Sequence, residues 1–151
     1  MTLSEDLQAR KRWMGVLAKA SADAIRACLH TVPPLPPHTR LRGPETGLVM
    51  LRGRAGGDGA AFNLSEMTVT RCAVTLEGGD TVGHAYVAGR DRSQAELAAV
   101  LDAALQDAAQ RPALLAAVIE PLAAAQAEAR ATESRKAAAT RVQFFTMANM
   151  R

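Results

Sequence analysis

Four prolines fall within five residues at Pro33-Pro34-Leu35-Pro36-Pro37, and they divide the chain into two zones of different periodicity. Proline fixes φ and has no amide hydrogen, so this stretch can be neither helix nor central strand. It must run extended, and it is read as a connector inside one domain. Residues 1–30, before it, repeat their apolar side chains at helical intervals: Leu7, Trp13, Met14 and Leu17. Thr2 and Glu5 have capping-box spacing at the start of that helix. A second short helix is predicted from Ala22 to Leu29, with Ile25 and Leu29 on one face.

Residues 38–91 read as an antiparallel meander. Gly47 to Arg54, Thr68 to Leu76 and Val82 to Arg90 are predicted strands. Gly56-Gly57-Asp58-Gly59 and Glu77-Gly78-Gly79-Asp80 are the turns between them, and Pro37 to Gly43 adds a short edge strand. Consecutive Leu48, Val49, Met50 and Leu51 put bulky apolar groups on both faces. A sheet with one face in water would alternate. Helices on one face and a partner on the other are therefore expected.

Residues 93–140 return to helix. Ser93 and Glu96 have capping-box spacing, and Leu97, Leu101, Leu105 and Ala108 follow on one face. Pro112 suits the first turn of the next helix, which carries Leu115, Val118 and Ile119. Pro121 demands a kink or a restart. Ala123 to Ala139 is alanine-rich with scattered charge, as a solvated or partner-facing helix would be. The fold class is α+β: N-terminal helices, a central antiparallel sheet of three to four strands, C-terminal helices and an extended tail over 141–151.

The length, 151 residues, suits a single domain with a real core. Alanine makes up about a fifth of the chain, above its usual share, so that core is thin in large side chains. Aromatic residues are scarce at 3%, yet Phe144 and Phe145 stand side by side in the tail, with Val142 and Met147 beside them. A buried ring contributes about 2–3 kcal/mol, which a frayed tail would forgo. The tail is expected to dock, on its own core or on another chain. Trp13 is read the same way, as a core or interface anchor.

Net charge is +3, without the dense basic stripe and interleaved aromatics of a nucleic-acid binder. No apolar run approaches the roughly 20 residues of a membrane span, and residues 1–13 lack a signal core. Cys28 and Cys72 are far apart, so a cytoplasmic protein with reduced thiols is expected. His30, His38 and His84 have no metal-ligand spacing. Glu45 and Glu66 are carboxylates without an obvious mate, and no nucleophile elbow occurs. No catalytic residue, metal ligand or bound cofactor is assigned.

Two glycine-containing segments could face an anion. Gly53 to Gly59 lacks a following helix and a Gly-Lys-Ser/Thr ending, so its glycines are read as a turn. Gly89-Arg90-Asp91-Arg92-Ser93 joins a strand to a helix N-terminus, where free amides and arginine forks favour phosphate. Arg71, Arg90, Arg92 and Ser93 are the candidate anion-binding residues. Asp91 offers the competing reading, a structural cap with an internal ion pair to Arg71 or Arg90.

Five segments in order resemble one known family: Arg12-Trp13-Met14, Glu45-Thr46-Gly47-Leu48, Thr68-Val69-Thr70-Arg71, Tyr86-Val87-x-Gly89-Arg90-Asp91 and Arg141-Val142-x-Phe144-Phe145-Thr146-Met147. They are similar to the PhnG family, the G subunits of the bacterial carbon–phosphorus lyase system. The resemblance covers nearly the whole chain. It departs at Gln143, where the family pattern is acidic, in the ending Ala148-Asn149-Met150-Arg151, and in the density of the proline run. The resemblance implies a cytoplasmic core-complex subunit, partnered by the H, I and J subunits and most directly by I. The complex it implies uses ATP and methylphosphonate to form α-D-ribose 1-methylphosphonate 5-triphosphate, with no catalytic residue in G. Trp13, Val142, Phe144, Phe145 and Met147 are then the candidate partner-interface residues. The alternative function is a free-standing phosphate or nucleotide binder built on Gly89 to Ser93.

Overall fold

The computed structural model describes residues 3–142. The fold is α+β. Helices α1 (Leu3–Leu17) and α2 (Ala22–Leu29) precede strand β1 (His38–Arg54). Strands β2 (Ala61–Leu76) and β3 (Val82–Ala88) follow, then helices α3 (Arg92–Gln106) and α4 (Arg111–Leu114) and, after a π-turn at Leu115–Ile119, α5 (Glu120–Ala139). Among the described residues the sheet is three-stranded and antiparallel, in the order β1-β2-β3.

Helix α3 lies across one face of the sheet and is the centre of the molecule. Beneath it Cys72 and Val74 of β2 and Ala85 and Val87 of β3 are buried. Its other sides meet α1, α2 and α4. Ala95, Ala98, Ala99, Ala103 and Ala104 are all buried along it, which explains a core poor in large side chains. Small side chains let helix and strand approach closely. A Cβ placed on Gly83 of β3 would stand 2.6 Å from the Ala103 amide nitrogen and would collide with the Ala99 carbonyl oxygen. Leu17 and Ile25 from the first helices, and Leu114, Val118, Ile119 and Leu122 from the last, complete the core.

The expected edge strand over Pro37 to Gly43 is not separate. It is continuous with Gly47 to Arg54 in one 17-residue strand, which pairs with β2 from His38↔Leu76 to Arg54↔Ala61. Gly43 and Pro44 are absorbed by register shifts between Arg40 and Arg42 and between Arg42 and Glu45. A bulge takes up the residue that cannot donate to the ladder, so the strand bends instead of ending. Strand β2 likewise starts at Ala61, earlier than Thr68. Strand β3 reaches only as far as the Val69↔Ala88 pair. Beyond it β1 and β2 run on as a two-stranded arm of about 25 Å. A 3₁₀ turn at Ala55–Gly57 closes the arm, with positive φ at Gly56 and Gly57, so these glycines serve a turn.

Helix starts follow side-chain chemistry. Ser21 caps α2 by accepting from the Ala24 amide at 3.2 Å. The cap of α3 is Asp91, which accepts from the Gln94 amide at 2.9 Å, rather than the expected Ser93–Glu96 box. Glu96 is drawn away by Arg40 and His38. Pro112 sits in the first turn of α4. Pro121 sits in the first turn of α5, directly after the π-turn. Proline has no amide to offer the carbonyl four residues back, and a widened turn accommodates that loss. In α5 only Leu122 is buried, as expected of a solvated alanine-rich helix. Thr2 and the tail residues Phe144, Phe145 and Met147 lie outside the described residues; Val142 is within them and exposed.

Candidate functional site

Strand register brings three separated sequence segments to one place on the sheet face that α3 does not cover. Glu45, Arg71 and Tyr86 are direct cross-strand neighbours on β1, β2 and β3. Arg71 Nε donates to Glu45 Oε1 at 2.7 Å, and Arg42 Nε lies 3.3 Å from the same oxygen. Glu45 is therefore not the solitary carboxylate expected of it. Hydrogen bonding with Tyr86, and next with Glu45, raises the Arg71 pKa, so its cation is held more firmly. Two arginines share one carboxylate, which leaves the cluster net positive. Gly47 follows Glu45 on this face, and its missing side chain opens a recess of about 180 Å³ over Val69. Arg71 and Tyr86 form the rim, with Tyr86 56% exposed.

The opposite side of these strands is locked. Thr70 is fully buried, and its Oγ1 donates to the Gly89 carbonyl at 2.8 Å while meeting Thr46 Oγ1 at 3.1 Å. The Gly89 amide returns a bond to the Thr68 carbonyl at 2.8 Å. Gly89 has φ +93°, a conformation that suits glycine where β3 leaves the sheet for α3. The segments 45–48, 68–71 and 86–91 thus converge on one arrangement, charged outside and hydrogen-bonded inside.

The four anion candidates are not gathered together. Arg71 belongs to the row just described. Arg90 and Arg92 are exposed and make no ion pair among the described residues. Asp91 fills the helix end with its own carboxylate, which competes with any anion for the amides there. Ser93 borders a different feature, a groove of about 490 Å³ between the proline run and α3. Glu96 closes that groove, accepting from Arg40 Nε at 2.7 Å, Arg40 Nη2 at 2.9 Å and His38 Nε2 at 3.0 Å. Arg40 is the main cause that holds the Glu96 carboxyl below the usual glutamate range.

Trp13 corrects an expectation. As an interface candidate it would have to be reachable, but it is 2% exposed and belongs to the chain's own core. Its indole Nε1 donates to Asp102 Oδ1 at 2.8 Å. Asp102 on α3 has no exposure and accepts also from Arg10 Nε at 3.1 Å, Arg10 Nη2 at 2.7 Å and the His84 amide at 2.9 Å. Arg111 stacks over the indole at 5.6 Å. This buried hub was missed in the sequence, although an acid inside the Leu101–Leu105 apolar face was its signal. Beside it Arg12 clamps Glu120 with two bonds of 2.7 and 2.8 Å, joining α1 to α5. Among the described residues no cluster of His, Cys, Asp and Glu could hold a metal ion, and no helix is long and apolar enough to cross a membrane.

Comparison with known proteins adds an independent finding. Residues 8–149 match the family model described as phosphonate metabolism protein PhnG. The chain is 43% identical over 138 residues to the alpha-D-ribose 1-methylphosphonate 5-triphosphate synthase subunit PhnG of Rhizobium meliloti. That alignment covers 91% of this chain and 87% of the relative.

Proposed function

The chain belongs to the PhnG family of phosphonate metabolism proteins, and from that premise we propose that it is an accessory subunit of the carbon–phosphorus lyase core complex. It supports the I subunit in making α-D-ribose 1-methylphosphonate 5-triphosphate from ATP and methylphosphonate, in the cytoplasm. I is its most direct partner, with H and J in the same assembly. ATP is a substrate of the complex and is not held by this chain.

One observation carries the reading. Leu48, Met50, Phe62 and Leu64 on the arm are 64%, 51%, 45% and 61% exposed among the described residues. A monomer in water gains nothing from such a patch, whereas a subunit buries it on assembly. In this assembly the Glu45–Arg71–Tyr86 row would lie at the subunit boundary, where Arg71 could meet a phosphate of the substrate. The chain supplies charge and shape there, and the partner supplies the chemistry.

Co-expression with the I subunit tests this. The expected result is a pair that co-purifies and releases adenine from ATP when methylphosphonate is present. Absence of both co-purification and activity, from a chain that is stable alone, overturns it.

A further inference from the structure

The two edges of the sheet are treated differently. On one side the edge is the seven-residue β3 and, beyond it, β2 from Ala61 to Met67, where Glu66 and the irregularity opposite Leu51 and Arg52 interrupt any regular apolar run. Strand β1 is the other edge and is 17 residues long. Its two irregular regions, around Gly43-Pro44 and between Leu51 and Arg52, leave Thr46 to Leu51 as a regular run between them. That run, Thr-Gly-Leu-Val-Met-Leu, has no charge and no proline. It has the devices against edge pairing only at its ends. Among the described residues its backbone makes no hydrogen bonds other than those to β2. Every second amide and carbonyl along it faces outward, unpaired by protein.

We infer that the open edge of β1 at Thr46 to Leu51 receives an extended strand of a partner subunit, which continues the sheet. The inference rests on the subunit reading above and names how the partner is held. Backbone bonds to β1 would supply the pairing. Side chains of the incoming strand would extend the apolar patches of Leu48 and Met50 on one face and of Val49 and Leu51 on the other.

Charge defines the rest of the occupant. At the start of β1, Arg40 is held by Glu96 and Arg42 by Glu45. At its far end Arg52 has no ion pair among the described residues, and Arg54 donates only to the Gly59 carbonyl. The incoming strand is therefore apolar over its centre and acidic beside Arg52 and Arg54. A second copy of this chain does not fit. Antiparallel pairing centred on the run would set Arg52 opposite Glu45, a carboxylate that Arg71 and Arg42 already engage, and Arg54 opposite Gly43 beside Arg42, so positive charge stays in excess there. Parallel pairing would bring the same arginines side by side.

Amide hydrogen exchange at single-residue resolution, on the full chain alone and with the co-expressed I subunit, tests the proposal. Alternate amides within Thr46 to Leu51 exchange fast in the isolated chain and slow by about tenfold or more in the complex. The L48K/M50K double variant alters only exposed side chains, so the isolated chain keeps its melting temperature. Its affinity for the I subunit falls by about tenfold or more. R52E weakens the complex further, and more so at low salt. A complex that forms without new protection at Thr46 to Leu51 overturns strand addition and leaves the subunit reading standing. No complex at all overturns both. Protection that appears on self-association of the isolated chain assigns the edge to a second copy and overturns the inference.

Discussion

The sheet has two ends that obey opposite rules. At the helix-covered end Gly83 presses against the α3 backbone, and the buried Asp102 carboxylate accepts four hydrogen bonds from Arg10, Trp13 and the His84 amide. At the arm end the same strands carry Leu48, Met50 and Leu64 into solvent on either side of the backbone. One end satisfies every group internally and so tolerates little change. The other leaves apolar area and backbone groups open, and so is free to change until a partner covers it. Stability and assembly are thus coded in different stretches of the same two strands.

The covered end is most sensitive at Asp102. Asp102→Ala leaves the Arg10 cation, the Trp13 indole N–H and the His84 amide without their acceptor, and should cost about 3–5 kcal/mol of folding stability. Urea unfolding followed by Trp13 fluorescence reads this directly, and a midpoint near that of the natural chain would refute the hub. Gly83→Ala comes next. The new methyl has no room against Ala99 and Ala103, and overpacking of this kind costs about 1–3 kcal/mol. The same assay checks it.

Leu48→Ser on the arm should do the reverse. Its effect on the isolated chain stays within about 0.5 kcal/mol, because the side chain is already in water. Co-purification with the I subunit weakens. A large loss of melting temperature in the isolated chain would mean that the arm is packed at home.

The smallest effect concerns pH. The folded Glu96 carboxyl lies below its unfolded value because Arg40 bonds to its charged form. The stability it contributes is therefore complete above the ordinary glutamate pKa of about 4.3 and drains away as pH falls through the folded value. The pair is partly exposed, so the contribution is below about 1 kcal/mol. Unfolding curves of Glu96→Gln and the natural chain should converge as pH drops from about 5 to 3. A gap that stays constant across that range would rule out the pairing as its cause.

Features set by neighbours in sequence were legible. The proline connector, Ala22 to Leu29 as a short helix, the glycine turns at 56–57 and the restart at Pro121 follow from dihedral limits acting over a few residues. The apolar run at Leu48 to Leu51 was readable too, because two-sided hydrophobicity in a strand has few explanations. The site was less legible. Glu45 looked solitary because its partner Arg71 is 26 residues away, and Glu96 looked like a cap because Ser93 stands at the right spacing. Trp13 looked equally suited to core or interface, since the indole alone does not say which side of a helix is covered.

The sequence by itself determined the α+β class, the order of the elements and the resemblance to PhnG, because periodicity, proline, glycine and short motifs are local properties. Only the tertiary structure decided which charges meet and which end of the sheet is covered. Asp102 and Trp13 are 89 residues apart, and Arg12 and Glu120 are 108 apart. The place of Asp102 under the His84 amide depends on how closely the alanine-lined α3 approaches Gly83 of β3, and the Arg12–Glu120 clamp depends on how α1 lies against α5. Packing geometry of that kind is set by the whole fold and by no segment of it alone.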